Sequence, residues 1–192
     1  LGRCFPEQRT NFVELDLTPG AYLATKHLIA QGHQRIGLIN KPQSFFIFNL
    51  DDIFAGYRAA LEEAGLPVVN SLVLEGDFSF ESGYRTFRQL RENNLELTAV
   101  ICASDPMAYG ALKAAADMNL KPGRDIEIIA GDNLPLIQKL YPNISSIHSL
   151  GYEQGRQAGK MIIANIKSGR EIEGIRLKAQ FIPRFNTPES FY

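Results

Sequence analysis

The sequence predicts an α/β fold built on a doubly wound, mostly parallel sheet. Short apolar runs typical of buried strands, such as residues 35–40 and 99–103, alternate with longer amphipathic runs typical of helices. Helices of about 10–15 residues between strands are typical of right-handed crossovers, which cover both faces of a parallel sheet. Gly and Pro residues punctuate the boundaries between the runs, as expected where elements start and stop.

The first helix is predicted to begin with Thr18 as N-cap and Pro19 in its first turn, and to end at Gly32. Asp51 or Asp52 is predicted to cap the next helix. The predicted helices cover residues 18–32, 52–64, 79–93, 105–118, 135–141 and 152–167. The predicted strands cover residues 35–40, 71–75, 99–103, 126–130, 145–149 and 175–182.

The composition indicates a globular ligand-binding protein rather than a nucleic-acid-binding module. The 192 residues are 45% hydrophobic and 21% charged, and the net charge is −1. A duplex-binding surface needs a basic excess, which this stretch lacks, so we do not expect it to bind DNA by itself. Cys4 and Cys102 are expected to be reduced thiols of a cytoplasmic protein. No membrane span, signal peptide, metal-binding motif or cofactor motif is recognisable.

Ligand sites in such sheets lie beyond the carboxyl ends of the strands. This rule selects the residues that follow the predicted strands ending near residues 40, 75, 103, 130 and 149. The three histidines, His27, His33 and His148, have no spaced nucleophile and acid partner, and no G-x-S-x-G, G-x-G-x-x-G or P-loop motif is present. The sequence therefore predicts a binding protein without catalytic residues.

Six segments, in order, resemble the effector-binding core of LacI/GalR-type transcriptional regulators. AVICASDPMAYGALKAA (99–115) resembles the family pattern NDxMAxGAL, and IIAGDNLPL (128–136) resembles VxGxDxxPL. SSIHSLGYEQGRQAGKMI (145–162) is similar to TTIxQxxxExGxxA. The other segments are GAYLATKHLIAQGHQRIGLIN (20–40), FAGYRAALEEAGL (54–66) and EGDFSFESGY (75–84).

The resemblance implies a periplasmic-binding-protein-like type I fold with two lobes and an incomplete N-terminal lobe. Residues 17–148 and 176–192 would form the C-terminal lobe, and residues 1–16 and 151–170 part of the N-terminal lobe. The family's DNA-binding head has no counterpart here, and the chain starts at Leu1 rather than Met, so we expect that a preceding segment has been removed. The implied function is that of a homodimeric repressor that senses a small carbohydrate between its lobes and controls operator DNA through the missing head. A periplasmic sugar-binding protein that feeds a transporter is the alternative, and a doubly wound enzyme is a third possibility.

The resemblance also implies candidate ligand-binding residues. Phe78 matches an aromatic position that stacks on the effector, although it could instead pack against a loop at the rim. Asp132 matches a carboxylate that accepts effector hydrogen bonds, although it could instead cap the helix that starts at Pro135. Ser104 stands where the family often has Asn, and the adjacent Asp105 is interpreted as the cap of its helix. Asn133 could serve the ligand or merely the turn.

The remaining candidates mark departures from the family pattern. Ile53 occupies the position of an Arg found in many sugar-responsive members, and Asn49 is the candidate to replace that Arg. Arg3 could face the cleft or form a surface ion pair. Ser149 and Gly151 are small where the family often has larger side chains, which suggests a pocket that suits a disaccharide.

Overall fold

The structure, a computed structural model, describes residues 9–42 and 52–184, with the backbone alone for Asp52. The strands are β1 (Val13–Asp16), β2 (Ile36–Asn40), β3 (Val73–Glu75), β4 (Ala99–Cys102), β5 (Glu127–Ile129), β6 (Ser146–His148), β7 (Ile175–Lys178) and β8 (Gln180–Ile182). The helices are α1 (Thr18–Ala30), α2 (Asp52–Glu63), α3 (Phe80–Asn93), α4 (Asp105–Asp117), α5 (Pro135–Leu140) and α6 (Gly151–Ser168), with a short 3-10 helix at Asn70–Leu72.

The larger sheet is parallel and has the order β3-β2-β4-β5, which confirms the predicted doubly wound sheet. A parallel bridge between Ala130 and Ser146 joins β6 to its edge, and β8 then pairs antiparallel with β6. The chain reverses its direction across the sheet after β3, so right-handed crossovers place α2 on one face and α3 and α4 on the other. Because both faces are covered, β4 is buried along its whole length.

A second, two-stranded parallel sheet pairs β1 with β7, from Val13 opposite Ile175 to Asp16 opposite Lys178. Helix α6 packs against β1, and most of its outer surface is exposed, including Ile162, Ile163 and Ile166. Both β1 and α6 lie within the residues predicted for the N-terminal lobe, and the division into lobes stays a prediction.

The predicted single strand over residues 175–182 is wrong, because the chain changes partners within it. Residues up to Lys178 pair with β1, the N–H of Ala179 donates to the Asp16 carbonyl, and β8 then pairs with β6 in the other sheet. The predicted strand over residues 71–75 is likewise shorter, because its first two residues belong to the 3-10 helix. Gly32 and Gly169 end α1 and α6 with φ of 92° and 63°, a conformation that glycine adopts without a steric penalty.

The predicted N-cap of α1 is also wrong. Leu17 occupies the cap position without a side-chain cap bond, and the Thr18 N–H donates instead to Oδ1 of Asp16, at 3.1 Å. Asp16 can reach this amide because β1 leads into the helix with a single intervening residue. The carboxylate therefore satisfies an amide at the positive end of the helix.

Asp16→Ala is expected to lower the free energy of unfolding by about 1 kcal/mol, since it removes this capping interaction. Thr18→Ala, the matched control, is expected to change it by less than about 0.5 kcal/mol, because the Thr18 hydroxyl caps nothing. Urea unfolding of the two variants measures both values. A larger loss for Thr18→Ala than for Asp16→Ala would restore the cap predicted from the sequence.

Among the helices within residues 9–42 and 52–184, none combines the length and apolar character that crossing a bilayer requires. The same residues hold no group of three or more His, Cys, Asp or Glu side chains placed to bind a metal ion. Cys102 is a free, buried thiol, and Cys4 lies outside the described residues.

Candidate functional site

The carboxyl ends of the strands in the larger sheet bring together the loops that the sequence selected. They place Phe78 after β3, Ser104 after β4, Asp132 after β5 and Ser149 after β6 along one edge of the sheet. Asn49, the fifth candidate, lies outside the described residues, as does Arg3. Four of the five proposed ligand-binding residues therefore lie in loops that meet at the same edge.

The backbone at this edge is strained where the candidate residues lie. Phe78, Asp132, Asn133 and Leu150 have φ values of 67°, 72°, 58° and 56°, in the left-handed region that L-residues rarely occupy. They are four of the six non-glycine residues with positive φ in the described part of the chain. Such conformations persist only where neighbouring contacts enforce them, and they concentrate at ligand sites.

The loops after β4 and β5 are joined by an exchange of hydrogen bonds between two aspartates, which we call the carboxylate exchange. The Asp105 N–H donates to Oδ2 of Asp132, at 3.3 Å. In return, Asp105 accepts from the N–H of Asn133 at 3.3 Å and from the N–H of Leu134 at 2.7 Å. Each carboxylate thus fixes the backbone that carries the other.

Two interpretations made from the sequence are wrong at this point. Ser104, not Asp105, is the N-cap of α4, and its hydroxyl oxygen accepts from the Met107 N–H at 3.4 Å. Asp132 does not cap α5, because the Leu134 amide at the start of that helix donates to Asp105. In each case the helix-start amide donates to a different residue from the aspartate expected from the sequence. The Ser104 hydroxyl hydrogen is not needed for the cap, so it can be donated to a ligand.

Arg184 holds the same loop from the end of β8. Its guanidinium donates to Oδ1 of Asn133 at 2.8 Å, to the Ile144 carbonyl at 2.8 Å and to Oγ of Ser146 at 3.2 Å. Asn133 is therefore a buried structural residue of the turn, and its side-chain oxygen is already occupied. Sequence reasoning missed Arg184, because its partners are about 40–50 residues away along the chain.

Burial dominates the electrostatics of the two aspartates. It raises the pKa of Asp105 to about 7, with a further contribution from the negative charge of Asp132, against the lowering effect of the two bound amides and Arg184. Burial also raises the pKa of Asp132, against the lowering effect of hydrogen bonds from Asp105 and Ser149. A carboxylate that is already partly desolvated and oriented loses less on binding a ligand than one that is free in water.

The Phe78 turn is held by its own polar side chains. The N–H of Ser79 donates to Oδ1 of Asp77 at 3.0 Å, and the N–H of Asp77 donates to Oγ of Ser82 at 3.1 Å. Hydrogen bonds to the Asp77 carboxylate, first from the hydroxyls of Ser79 and Ser82 and then from the Ser79 N–H, lower the pKa of Asp77 to about 2. Phe78 itself is half-buried and packs against the core.

Ser149 and His148 brace the Asp132 carbonyl, each from 3.4 Å. Gly151 is exposed as the first residue of α6, with nothing within 4 Å of the place where a Cβ would stand. Ile53 is buried in the core and offers no polar group to a ligand. A further residue that the sequence did not indicate is Asn40, at the end of β2. Its Oδ1 is buried and accepts no hydrogen bond, and a ligand hydroxyl or a water could satisfy it.

A cavity of about 580 Å³ lies at the opposite edge of the sheet. His33 and Thr98, which precede β2 and β4, line it together with Ile126, which precedes β5. None of Phe78, Ser104 and Asp132 lines it, although Arg184, which holds Asn133, does.

Comparison with known proteins finds similarity along most of the chain. A family model described as a periplasmic binding protein-like domain matches residues 25–185. The HTH-type transcriptional repressor CytR of Escherichia coli K12 is 35% identical over 172 residues, which are 90% of this chain and 50% of that protein. The chain thus spans about half the length of the curated relatives it matches.

Two solved structures are similar along almost the whole chain. A LacI-family regulatory protein from Chloroflexus aggregans superposes with a TM-score of 0.86 at 31% identity, covering 96% of this chain and 66% of that one. The transcriptional regulator CelR in complex with cellobiose superposes with a TM-score of 0.87 at 28% identity, covering 97% of this chain and 57% of that one. These similarities confirm the predicted fold class, and the relatives are transcriptional regulators rather than enzymes.

Proposed function

Because the chain belongs to the periplasmic binding protein-like domain family, as the effector-binding core of a LacI-type regulator, we propose that it senses a small carbohydrate at the carboxyl edge of its larger sheet. The observation that carries the proposal is the fixed carboxylate of Asp132 at that edge. The backbone of Asp132 is left-handed, and its Oδ2 accepts from the Asp105 N–H. A fixed carboxylate accepts the hydroxyl hydrogens that a sugar presents in abundance. The CelR structure, which holds cellobiose, supports this class of ligand.

Each described candidate has a role in this proposal. Asp132 accepts hydrogen bonds from sugar hydroxyls, and Ser104 donates its hydroxyl hydrogen. Phe78 stacks against the apolar C–H face of a sugar ring. Ser149, between β6 and α6, donates its hydroxyl hydrogen to the Asp132 carbonyl and so supports the backbone of the acceptor residue.

Control of DNA follows from coupling between two sites. The sugar favours one arrangement of the lobes through contacts that it makes in that arrangement only, and the lobe shift repositions DNA-binding heads that lie outside this chain. The protein acts as a cytoplasmic repressor. The similarity to CytR, which is named a transcriptional repressor, supports this role.

We also propose that the regulator is a homodimer. Four large apolar side chains are exposed in this region. Phe80 lies on α3, Leu134 directly precedes α5, and Leu136 and Leu140 lie on α5. The rings of Tyr109 on α4 and of Tyr141, directly after α5, lie 6.1 Å apart. An apolar surface of this kind is typical of a subunit interface.

Thermal unfolding of the protein with a panel of mono- and disaccharides, cellobiose included, and with purines tests the ligand class. A sugar present at 100 times its Kd is expected to stabilise the native state by about 2.7 kcal/mol, and so to raise Tm by roughly 5–10 °C. Asp132→Ala is expected to weaken binding roughly 30- to 150-fold, since it removes a charge-assisted acceptor. Phe78→Ala should weaken it by a smaller factor.

Asp117→Ala is the matched control, because Asp117 is paired with Lys113 on the exposed side of α4. This variant should keep the full sugar-dependent shift. A shift with a purine but with no sugar would preserve the regulator core and refute the carbohydrate assignment. A sugar shift of wild-type size in Asp132→Ala would refute the role of that carboxylate.

A further inference from the structure

A fully buried carboxylate lies beneath the proposed ligand acceptor. Asp105 is 0% exposed, although it stands in the first turn of α4 at the edge of the sheet. Burying a carboxylate is costly unless hydrogen bonds compensate it. Here the compensating donors come from the loop after β5, where the Leu134 and Asn133 amides donate at 2.7 and 3.3 Å. The carboxylate is thus committed to holding a loop of another βα unit.

The loop that Asp105 holds contains the two adjacent left-handed residues. Asp132 and Asn133 have φ of 72° and 58°, and the amides bound to Asp105 belong to the two residues that follow Asp132. In the same exchange the Asp105 N–H fixes Oδ2 of Asp132. Asp105 therefore holds both the Asp132 carboxylate and the left-handed backbone that carries it.

Charged and titratable side chains surround Asp105 in the described structure. The guanidinium of Arg184 fastens Asn133 from the far side, and its charge favours the ionised form of Asp105. Burial and then the Asp105 charge raise the pKa of the thiol of Cys102 on β4 and of the hydroxyl of Tyr109 on α4. Within the described part of the chain, those two groups interact electrostatically with the Asp105 carboxylate, as do Asp132 and Arg184.

We propose that Asp105 is a positioning residue for effector recognition, which holds Asp132 in its binding orientation through the carboxylate exchange. The inference rests on the proposed function of Asp132 as a ligand acceptor. The ionised carboxylate accepts strongly from both amides, because protonation turns one oxygen into a hydroxyl that donates its hydrogen and accepts only weakly. The order of the binding loop thus follows the ionisation of Asp105, a residue that need not touch the effector.

Nuclear magnetic resonance of the wild-type protein tests the positioning without any ligand. The side-chain carboxyl carbon of Asp105 and the amide protons of Asn133 and Leu134 are expected to titrate with one shared midpoint, near pH 7. The Lys121 amide is an internal control, because it donates at 2.9 Å to Asp125, whose pKa is lowered chiefly by Arg124. It should titrate with Asp125, below the ordinary pKa of an Asp side chain. Asn133 and Leu134 amides that do not move with the Asp105 carboxyl would overturn the proposal.

Asp105→Asn provides the second measurement, with Asp117→Asn on the same helix as its control. The Asn side chain keeps one acceptor but turns a donor toward the other amide, so the resonances of Asp132, Asn133 and Leu134 should shift and lose their common titration. Asp117→Asn should leave them unchanged. Unchanged Asp132 resonances in Asp105→Asn would overturn the proposal. If the variant does not fold, the wild-type titration decides alone.

Cellobiose then serves as the probe for recognition in titration calorimetry at pH 8. Binding that is at least tenfold weaker in Asp105→Asn than in wild type and in Asp117→Asn supports the positioning role, and equal binding overturns it. If the wild-type protein does not bind cellobiose but the Asn133 and Leu134 amides titrate with Asp105, the proposed ligand is wrong. The positioning role of Asp105 is then supported by the amide titration.

Discussion

Gly83→Ala is expected to lower the free energy of unfolding by about 3 kcal/mol or more, because α3 and α4 touch through their backbones at this position. A Cβ added to Gly83 would lie 2.5 Å from Cα and 2.7 Å from the carbonyl carbon of Met107. Real Cβ atoms do not approach other atoms closer than 3.0 Å, and a backbone cannot rotate away as a side chain can. The two helices must then separate, which opens space over β4 and β2.

Gly110 makes the same contact from the other helix. A Cβ there would lie 2.5 Å from the Tyr84 nitrogen and 3.0 Å from the Gly83 carbonyl carbon. Gly110→Ala should therefore cost a similar amount. The two losses should not add in the double variant, since either alone separates the same pair of helices.

Gly155→Ala is the matched control for the propensity of glycine in a helix. It lies on the exposed part of α6, with nothing within 4 Å of the added Cβ, so the substitution should stabilise the helix by up to about 1 kcal/mol. Urea unfolding at one pH compares the three variants. A loss below 1 kcal/mol for Gly83→Ala would show that the helices can separate without cost.

The sequence predicted the fold well because its main signals are local. The apolar runs and their spacing located the six α-helices of the described residues, and the end of α1 at Gly32 required only the conformational freedom of glycine. Partner changes are not local. The run over residues 175–182 is continuous in sequence, yet Ala179 separates two strands that belong to different sheets.

The candidate site was predictable to the level of loops but not of contacts. The carboxyl-edge rule found the positions of Phe78, Ser104 and Asp132, and their roles toward a ligand remain predictions. Asp105 was interpreted as a cap for its own helix, because capping is the local use of an aspartate at a helix start. Its observed partners are 28 and 29 residues away, at Asn133 and Leu134, and no sequence period signals such a bond.

Asp105 should also make the stability of the protein fall as pH rises, which is opposite to the effect of an ion-paired carboxylate. Burial raises its folded-state pKa to about 7, above the unfolded value, so the folded state binds the proton more tightly. Its contribution to stability is then fully present below the unfolded pKa near 4 and is lost as pH rises through 7. Over pH 5–8 the loss should be about 2–3 kcal/mol, because each pKa unit corresponds to about 1.4 kcal/mol.

Two histidines act in the other direction over part of the same range. Burial lowers the pKa of His27 and His33, so their contribution to stability is lost as pH falls. The difference in unfolding free energy between wild type and Asp105→Asn cancels the histidines, and this difference should fall by about 2–3 kcal/mol from pH 5 to pH 8. Asp117→Asn should show a flat difference, since the pKa of Asp117 is lowered, first by Lys113, and its charge is constant above pH 5.

The two effects of Asp105 have opposite signs, and this makes the measurement informative. At pH 8 its charge is most costly to the fold, and at the same pH its two oxygens hold the Asn133 and Leu134 amides most completely. The stability of the Asp105→Asn protein should therefore depend less on pH than that of the wild type, while its binding loop is less ordered. A site whose stability and order peak at different pH values is expected where a fold retains a buried charge for positioning. A difference curve that rises or stays flat between pH 5 and pH 8 would show that the ionised form of Asp105 is fully compensated by its donors.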